Sequence, residues 1–202
     1  MLIRATKKDS DLAVEVLTEA FENDPFLRWL FPEDPQYGTY APLFFGQWVD
    51  VTLDAGEIWM DPDRAGVMLG QLSTTLASNE EDKARAREEF RATFRECADR
   101  VVAFVDGVAE NHPNMDREHW YWTMLGVRRS HQRKGVGRAI FQELFEMKNP
   151  RYPFYCEATT SGNLALYRRL GFRRLFEFRV APDASPLQAI WAETNAFAES
   201  RR

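Results

Sequence analysis

Hydrophobic residues recur along the chain at two different spacings, which alternate from one segment to the next. A spacing of three or four residues indicates an amphipathic helix, whereas alternation or a short apolar run between turn residues indicates a strand. Helices are predicted for the segments with the first spacing, which are 10–24, 40–55, 82–105, 135–147 and 163–170. Strands are predicted for the apolar runs, which are 2–5, 57–60, 67–72, 119–127, 152–158, 172–180 and 187–192. Because strands and helices alternate, the pattern predicts an α/β fold built on a mixed sheet.

Prolines set several of the predicted boundaries. Pro32 and Pro35 are expected to keep the start of an aromatic-rich region in a loop. Pro42 must then lie in the first turn of the helix 40–55, where a missing N–H group is tolerated. The polar segment 106–118 is expected to form a second long loop.

The chain has 202 residues, which is the size of one domain with room for a hydrophobic core. No internal repeat, low-complexity segment or linker divides it. We therefore predict a single domain over residues 1–202, with 193–202 as a frayed tail.

Composition narrows the class of protein. Hydrophobic residues make up 45% of the chain and charged residues 28%, which is typical of a globular protein. The formal net charge of −5 argues against a dedicated nucleic-acid binder. Two cysteines, Cys97 and Cys156, make no disulfide framework. The first residues lack the apolar core of a signal peptide, and no apolar run reaches the length of a membrane span. The cytoplasm is the expected compartment.

One basic stretch stands out against this acidic total. Residues 128–140 read RRSHQRKGVGRAI, with five cations, two glycines and no acid, between a predicted strand and a predicted helix. The first amides of a helix lack internal partners, so a glycine-containing basic loop at this position is suited to bind an anion such as a phosphate. The alternative is a solvated helix cap. The stretch matches neither the GxxxxGK[ST] loop nor the GxGxxG loop.

The same residues carry a family resemblance. Gln132–Gly137 fits the pattern [QR]xxGx[GA], which resembles the acyl-CoA pyrophosphate loop of the GNAT acetyltransferases. A second match follows at the expected distance, in CEATTSGNLALYRRLGF at 156–172. The opening IRATKKD, the segment GEIWMDPD and the HWYW strand look like the branch that includes puromycin N-acetyltransferase. The resemblance implies a mostly antiparallel sheet of six to seven strands, flanked by helices and splayed between strands 4 and 5.

The resemblance also implies a set of site residues. The diphosphate of acetyl-CoA would be bound by the loop and the first helical turn, which comprise Gln132, Arg133, Lys134, Gly135, Val136, Gly137, Arg138 and Ala139. The pantetheine arm would lie along the strand edge at Leu125, Gly126 and Val127. Asn163 would contact the cofactor near this arm, or cap a helix.

Two further residues are implied as proton-transfer groups. Tyr167 matches the general acid of the family, and its alternative role is packing beside the LGF turn. Glu157 is the candidate general base, and a structural role is the alternative. Alternation places Cys156 on the opposite face of the strand from Glu157, so a cysteine nucleophile is not expected.

The implied activity is the direct transfer of an acetyl group from acetyl-CoA to a primary amine of a small molecule, without a metal. The acceptor is expected to enter against residues 21–50, where aromatic side chains either line a pocket or form core, and where Glu22, Asp24 and Asp50 could attract a cation. A protein amine as acceptor, a non-catalytic acyl-CoA sensor and a nucleic-acid binder remain alternatives. The oligomeric state stays open, with a homodimer as one option.

Overall fold

The computed structural model describes residues 1–76, 79–113, 115, 117–160, 164 and 167–196. The helices of these residues are α1 Ser10–Ala20, α2 Pro25–Leu30, α3 Asp34–Ala55, α4 Glu80–Phe94, α5 Ala98–Asn111 and α6 Val136–Lys148. The strands are β1 Ile3–Arg4, β2 Glu57–Met60, β3 Gly66–Leu72, β4 Trp120–Val127, β5 Phe154–Ala158, β6 Arg173–Phe178 and β7 Leu187–Ala192. All the predicted strands are present, with ends shifted by up to two residues.

The strands form one sheet of seven in the order β1-β2-β3-β4-β5-β7-β6. Every neighbouring pair is antiparallel except the parallel pair β4 and β5. This confirms the expected mixed, mostly antiparallel sheet with flanking helices.

The central pair β4 and β5 separates soon after it begins. Pairing between them is recorded only from Trp120 to Phe154 and from Tyr121 to Tyr155, although β4 continues to Val127. A bulge starts at this point, because Leu69 of β3 faces Met124 and Gly70 faces Trp122, which leaves Thr123 without an opposite residue. A bulge bends its strand and breaks the ladder. The splay predicted between strands 4 and 5 therefore has a local cause in β4.

Two hydrophobic clusters cover the two faces of the sheet. The larger includes buried residues of α1, α2, α3 and α5, and the smaller includes those of α6. Neighbouring residues of β5 go to different clusters, since Tyr155 belongs to the larger and Cys156 to the smaller. The sheet thus separates two chemical environments, and a residue's position in β4 or β5 decides which one it contacts.

Most of the segment predicted as loop before residue 40 is helical, and only residues 31–33, which include Pro32, lie between α2 and α3. Asp24 caps α2, because its Oδ1 accepts hydrogen bonds from the backbone N–H groups of Phe26 at 2.9 Å and Leu27 at 3.2 Å. Pro25 occupies the first turn of α2 and begins a helix, whereas we expected it only to end one. An aspartate followed by a proline is a standard helix start, and this signal was overlooked.

The prediction for the next helix was wrong at its beginning. Helix α3 starts at Asp34, so Pro35 lies in the first turn and Pro42 lies inside the helix. An interior proline costs about 3 kcal/mol of helix stability. Burying a large apolar side chain contributes about 1.5–3 kcal/mol, and α3 buries both Phe44 and Phe45 among others. Tertiary packing therefore outweighs the missing hydrogen bond.

The single helix predicted over 82–105 is two helices. Arg95 has a φ of 44°, in the left-handed region that ends an α-helix, and α5 then runs to Asn111. The break lets α5 return beside α4, where Arg87 donates to Asp106 at 2.9 Å. Part of the predicted loop 106–118 is consequently the last turn of α5.

Candidate active site

A cleft of about 540 Å³ opens where β4 and β5 separate. Its walls come from β4 and β5, from the loop before α6, and from α1, α2, α3 and α5 on the opposite face of the sheet. It also receives Tyr167, which follows β5 in the chain. A cavity of this size is typical of a small-molecule site.

The N-terminus of α6 lies at one end of the cleft. Gly135 precedes the helix with a φ of 89°, and no side chain caps the helix there. Of the amides in the predicted phosphate loop, that of Gln132 donates to the Arg128 carbonyl at 3.1 Å and that of Ala139 to the Gly135 carbonyl at 2.9 Å. The amides between these two are therefore the candidates for an anion, and α6 adds the positive end of its dipole.

The five cations of the loop have two different environments. Arg128 donates to Glu15 and Glu19 of α1, each at 2.9 Å, and Arg129 pairs with Glu22. These two arginines hold the loop on the end of α1.

The other three cations of the loop remain available. Arg133, Lys134 and Arg138 are exposed, and within the part of the chain that the structure describes none has an ion-pair partner. Arg133 and Arg138 line the cleft, while Lys134 lies outside the lining. The charge facing the candidate anion site is therefore not neutralised by the protein.

Of the three residues predicted to lie along the pantetheine arm, two line the cleft and one does not. Leu125 and Val127 line the cleft. Gly126 faces α1 instead, since a Cβ atom at this position would lie 3.0 Å from Leu17 Cδ2. The Val127 carbonyl accepts a hydrogen bond from Gln132 Nε2 at 3.0 Å, which ties the loop to the end of β4. Gly137 lies against the same edge, with 3.3 Å between an added Cβ atom and Val127 Cγ2.

Tyr167 lies on the α6 face of the cleft. Its ring packs against those of Phe141 and Phe172, each with a centroid distance of 5.7 Å. Burial raises the pKa of its phenol, and the neighbouring Cys156 acts in the same direction. The hydroxyl therefore stays protonated at neutral pH and has a proton to donate, while burial makes it a weaker acid than a tyrosine in water.

Glu157 lies on β5 and lines the cleft. Burial raises the pKa of its carboxyl group to about 7, against the opposing effect of the Tyr155 and Tyr121 hydroxyls. Its Oε1 atom is buried and has no hydrogen-bond partner among the described residues. A carboxylate near half-ionisation at neutral pH, with one oxygen free, has the properties of a general base.

Two further predictions for the segment 156–172 concern Cys156 and Asn163. Cys156 is a free cysteine in the smaller cluster, and burial raises the pKa of its thiol, so a thiolate nucleophile is disfavoured. Asn163 lies outside the described residues.

The side of the cleft formed by α1, α2, α3 and α5 is mainly aromatic. The rings that line it are Phe21, Phe26, Phe44, Phe45, Trp48 and Phe104. Many aromatic residues of 21–50 are also fully buried core, so both roles considered for this region occur. Of the three acids suggested there, Asp24 lines the cleft, Glu22 pairs with Arg129, and Asp50 is exposed on α3 outside the lining.

Sequence reasoning missed two features of this wall. Asp24 Oδ2 accepts a hydrogen bond at 2.7 Å from the hydroxyl of Thr159, just after β5, which joins the start of α2 to the end of β5. Phe104 and Val108 reach the cleft from α5, whereas the predicted helix ended at residue 105 and was not expected to contribute to the site. The Asp-Pro pair at 24–25 was the available signal for the first feature, whereas the second depends on how α5 packs.

Among the residues that the structure describes, no three or more His, Cys, Asp or Glu side chains are grouped as metal ligands. None of the described helices is both long and apolar enough to cross a membrane.

Comparison with known proteins agrees with this geometry. Residues 88–174, which include the loop, Glu157 and Tyr167, match the family model described as Acetyltransferase (GNAT) domain. The protein is an acetyl-transferring enzyme. Residues 88–174 carry the match to a GNAT acetyltransferase domain, as the two motifs predicted.

Similar solved structures cover nearly the whole chain. One is described as histone acetyltransferase HPA2 and related acetyltransferase from Corynebacterium glutamicum, with 27% identity, a TM-score of 0.66 and 96% of each chain covered. Arylalkylamine N-acetyltransferase 2 from Aedes aegypti has 17% identity and a TM-score of 0.66, over 96% of this chain and 99% of that one. The polyamine N-acetyltransferase of Drosophila melanogaster has 12% identity and a TM-score of 0.64, with the same coverage. The last two share the fold, and the puromycin N-acetyltransferase branch remains an interpretation.

Proposed function

We propose that the protein transfers an acetyl group from acetyl-CoA to a primary amine of a small molecule, by direct attack within a ternary complex. The observation that carries this proposal is the placement of two partly buried groups on one cleft, at the opening between β4 and β5: the carboxyl group of Glu157, whose pKa is raised to about 7, and the phenol of Tyr167. One group accepts a proton and the other donates one. Direct acyl transfer to an ammonium needs both steps.

The α6 end of the cleft fits the diphosphate of acetyl-CoA. The amides from Arg133 to Arg138 would bind it, and the side chains of Arg133 and Arg138 would balance its charge. The separated edge of β4 then offers backbone groups near Leu125 to the pantetheine arm. In this pose the thioester lies between Glu157 and Tyr167, because the arm extends from the loop toward the centre of the cleft.

The reaction follows with its protons balanced. Glu157 takes one proton from the ammonium, directly or through a water molecule. The neutral amine attacks the thioester carbonyl carbon, so that a C–N bond forms and the C–S bond breaks. Tyr167 gives its proton to the departing thiolate, and the second nitrogen proton restores the phenol. The products are the N-acetylated amine, free CoA and one proton held by Glu157 and then released.

The alternatives are weaker on specific observations. A non-catalytic acyl-CoA sensor would have no use for Glu157 and Tyr167 with their perturbed pKa values. A nucleic-acid surface on the basic loop would lose the charge of Arg128, which pairs with Glu15 of α1, and of Arg129, which pairs with Glu22 just after α1. A protein amine would have to reach an apolar cleft whose volume also holds the thioester arm. Two free buried cysteines support the cytoplasm as the proposed compartment.

A release assay tests the proposed activity. Acetyl-CoA with a panel of primary amines should give free CoA, detected by a thiol reagent, together with the N-acetylated amine by mass spectrometry. Release should depend on both the protein and the amine. Tight binding of acetyl-CoA without release for any amine would favour the sensor and overturn the proposal.

The phosphate loop makes a second prediction. Arg138→Glu should weaken acetyl-CoA binding by at least about tenfold, or ~1.4 kcal/mol, because a carboxylate would replace an unpaired cation beside the diphosphate. Arg91→Glu makes the same change on the exposed face of α4 and serves as the control. Calorimetry measures both dissociation constants. Equal affinity of the two folded variants would remove Arg138 from the cofactor site.

A further inference from the structure

The two halves of the cleft differ in charge. Arg133 and Arg138 lie at the α6 end, whereas the half between β5 and the helices of the larger cluster is lined mainly by aromatic and aliphatic side chains. Only two carboxylates appear among the described lining residues, and they are Asp24 and Glu157. The number of positive charges that an acceptor can carry into this half depends on what these two groups already bind.

Asp24 is largely occupied. Its Oδ1 accepts two backbone N–H groups at the start of α2, and its Oδ2 accepts the Thr159 hydroxyl. These bonds fill three of the roughly four acceptor positions of a carboxylate. The positive end of the α2 backbone also compensates its charge. The hydrogen bonds of Asp24 therefore stabilise the wall of the cleft, and its carboxylate has little remaining capacity to bind a ligand.

Glu157 has the opposite character. Its buried Oε1 atom makes no hydrogen bond of normal geometry among the described residues, and the hydroxyls of Tyr121 and Tyr155 lie close enough only to lower the pKa of the carboxyl group in part. An unpaired buried acceptor is costly, so it favours a ligand that donates a hydrogen bond to it. One ammonium group satisfies this oxygen. A second ammonium on the same molecule would face the rings of Phe44, Trp48 or Phe104 without a free carboxylate.

The rings set the shape of the remaining space. Phe26 and Phe104 have a centroid distance of 5.2 Å, and Phe44 and Phe104 one of 5.8 Å, so they form one continuous wall. Phe104 and Trp48 are only partly buried, which leaves apolar surface for a ligand to cover. The 540 Å³ cleft must hold the thioester arm as well, which limits the acceptor to a small molecule.

We infer that the acceptor is a monoamine with an aromatic or branched apolar body, and that the site discriminates against diamines and polyamines. The inference rests on the proposed function, because it assigns the substrate of the same site. Transfer of apolar surface from water drives binding of the body, and the unpaired Glu157 oxygen orients the amine. A diamine would place one charge against the aromatic wall, where a cation–π attraction offsets only part of the cost of removing an ammonium from water without a carboxylate partner.

A matched pair of amines tests the charge rule. Hexylamine and hexamethylenediamine have the same carbon chain and differ in one terminal group, which is a methyl group or a second ammonium. With the wild-type enzyme, kcat/KM should be at least about a hundredfold higher for hexylamine, and phenethylamine should be at least as good a substrate as hexylamine. A diamine that equals or exceeds hexylamine would overturn the inference while leaving the proposed activity intact.

A pair of variants tests the aromatic wall. Phe104→Ala should raise the KM of phenethylamine by at least about tenfold and leave the acetyl-CoA dissociation constant unchanged. Phe90→Ala removes a phenylalanine of the same larger cluster outside the cleft lining and should change neither value. Calorimetry with phenethylamine and CoA gives the same comparison without turnover. Equal phenethylamine binding by the two folded variants would refute the aromatic wall as the acceptor site, even if the enzyme acetylates other amines.

Discussion

Replacing Tyr167 by phenylalanine should slow turnover by about 10²–10⁴-fold without weakening acetyl-CoA binding. The ring contacts with Phe141 and Phe172 remain, so the fold and the cleft are preserved. The substitution removes only the hydroxyl group, and with it the proton that the departing thiolate would accept. Burial raises the pKa of this phenol above its usual value of 10, which keeps the proton in place across the working pH range of the enzyme. Single-turnover rates and calorimetry together measure the two effects.

The matched control is Tyr152→Phe. This change removes the same hydroxyl from a partly buried tyrosine that is not among the cleft-lining residues. It should leave both the rate and the affinity unchanged. If Tyr167→Phe also turns over at the wild-type rate with a good acceptor, Tyr167 only packs, and another group must protonate the thiolate.

Replacing Glu157 by glutamine should give an equally large loss at neutral pH, with partial recovery as the pH rises. Glutamine keeps the size of the side chain but cannot accept a proton. An alkyl amine has a pKa near that of lysine, about 10.4, so free amine becomes abundant only at high pH. The wild-type rate should rise through a pKa of about 7, where Glu157 loses its proton, and this limb should be missing in the variant.

The raised pKa of Glu157 also determines how the free energy of unfolding changes with pH. The folded-state pKa of Glu157 lies above the ordinary value of about 4.3. Between these two values the folded state binds more protons than the unfolded state, so ionisation of Glu157 lowers the free energy of unfolding as the pH rises to about 7. Glu157→Gln should remove this decline, whereas Glu88→Gln on the exposed face of α4 should retain it. A variant that loses stability at every pH, and shows no recovery of rate at high pH, would make Glu157 a structural residue.

The parts of the molecule that the sequence predicted are those with local causes. The α6 boundary follows from Gly135 and the apolar spacing of residues 135–147, and the strands follow from apolar runs bounded by turn residues. The family resemblance carried by the two motifs implied a splayed sheet, and the bulge at Thr123 gives this splay a local cause. In each case a few neighbouring residues are enough to specify the feature.

The features that were missed depend on residues far apart in the chain. The ion pairs of Arg128 and Arg129 join a loop to acids more than 100 positions earlier, and no local pattern identifies such partners. The interior position of Pro42 depends on packing that outweighs helix propensity. The pKa of Glu157 is likewise a property of burial, which requires the assembled sheet and helices.

The splay between β4 and β5 also bears on aggregation. Separated strands carry unpaired backbone N–H and C=O groups, and such edges recruit strands from other chains. Here the two separated edges face each other across the cleft, whose walls leave little room for a second protein chain to lie flat against either one. At the outer boundaries of the sheet, β1 has only two residues, and β6 exposes Arg173, Arg174 and Glu177, whose charges discourage pairing. Among the residues that the structure describes, the opening in the sheet that can accept an extended molecule is therefore the cleft, whereas the outer edges are short or charged.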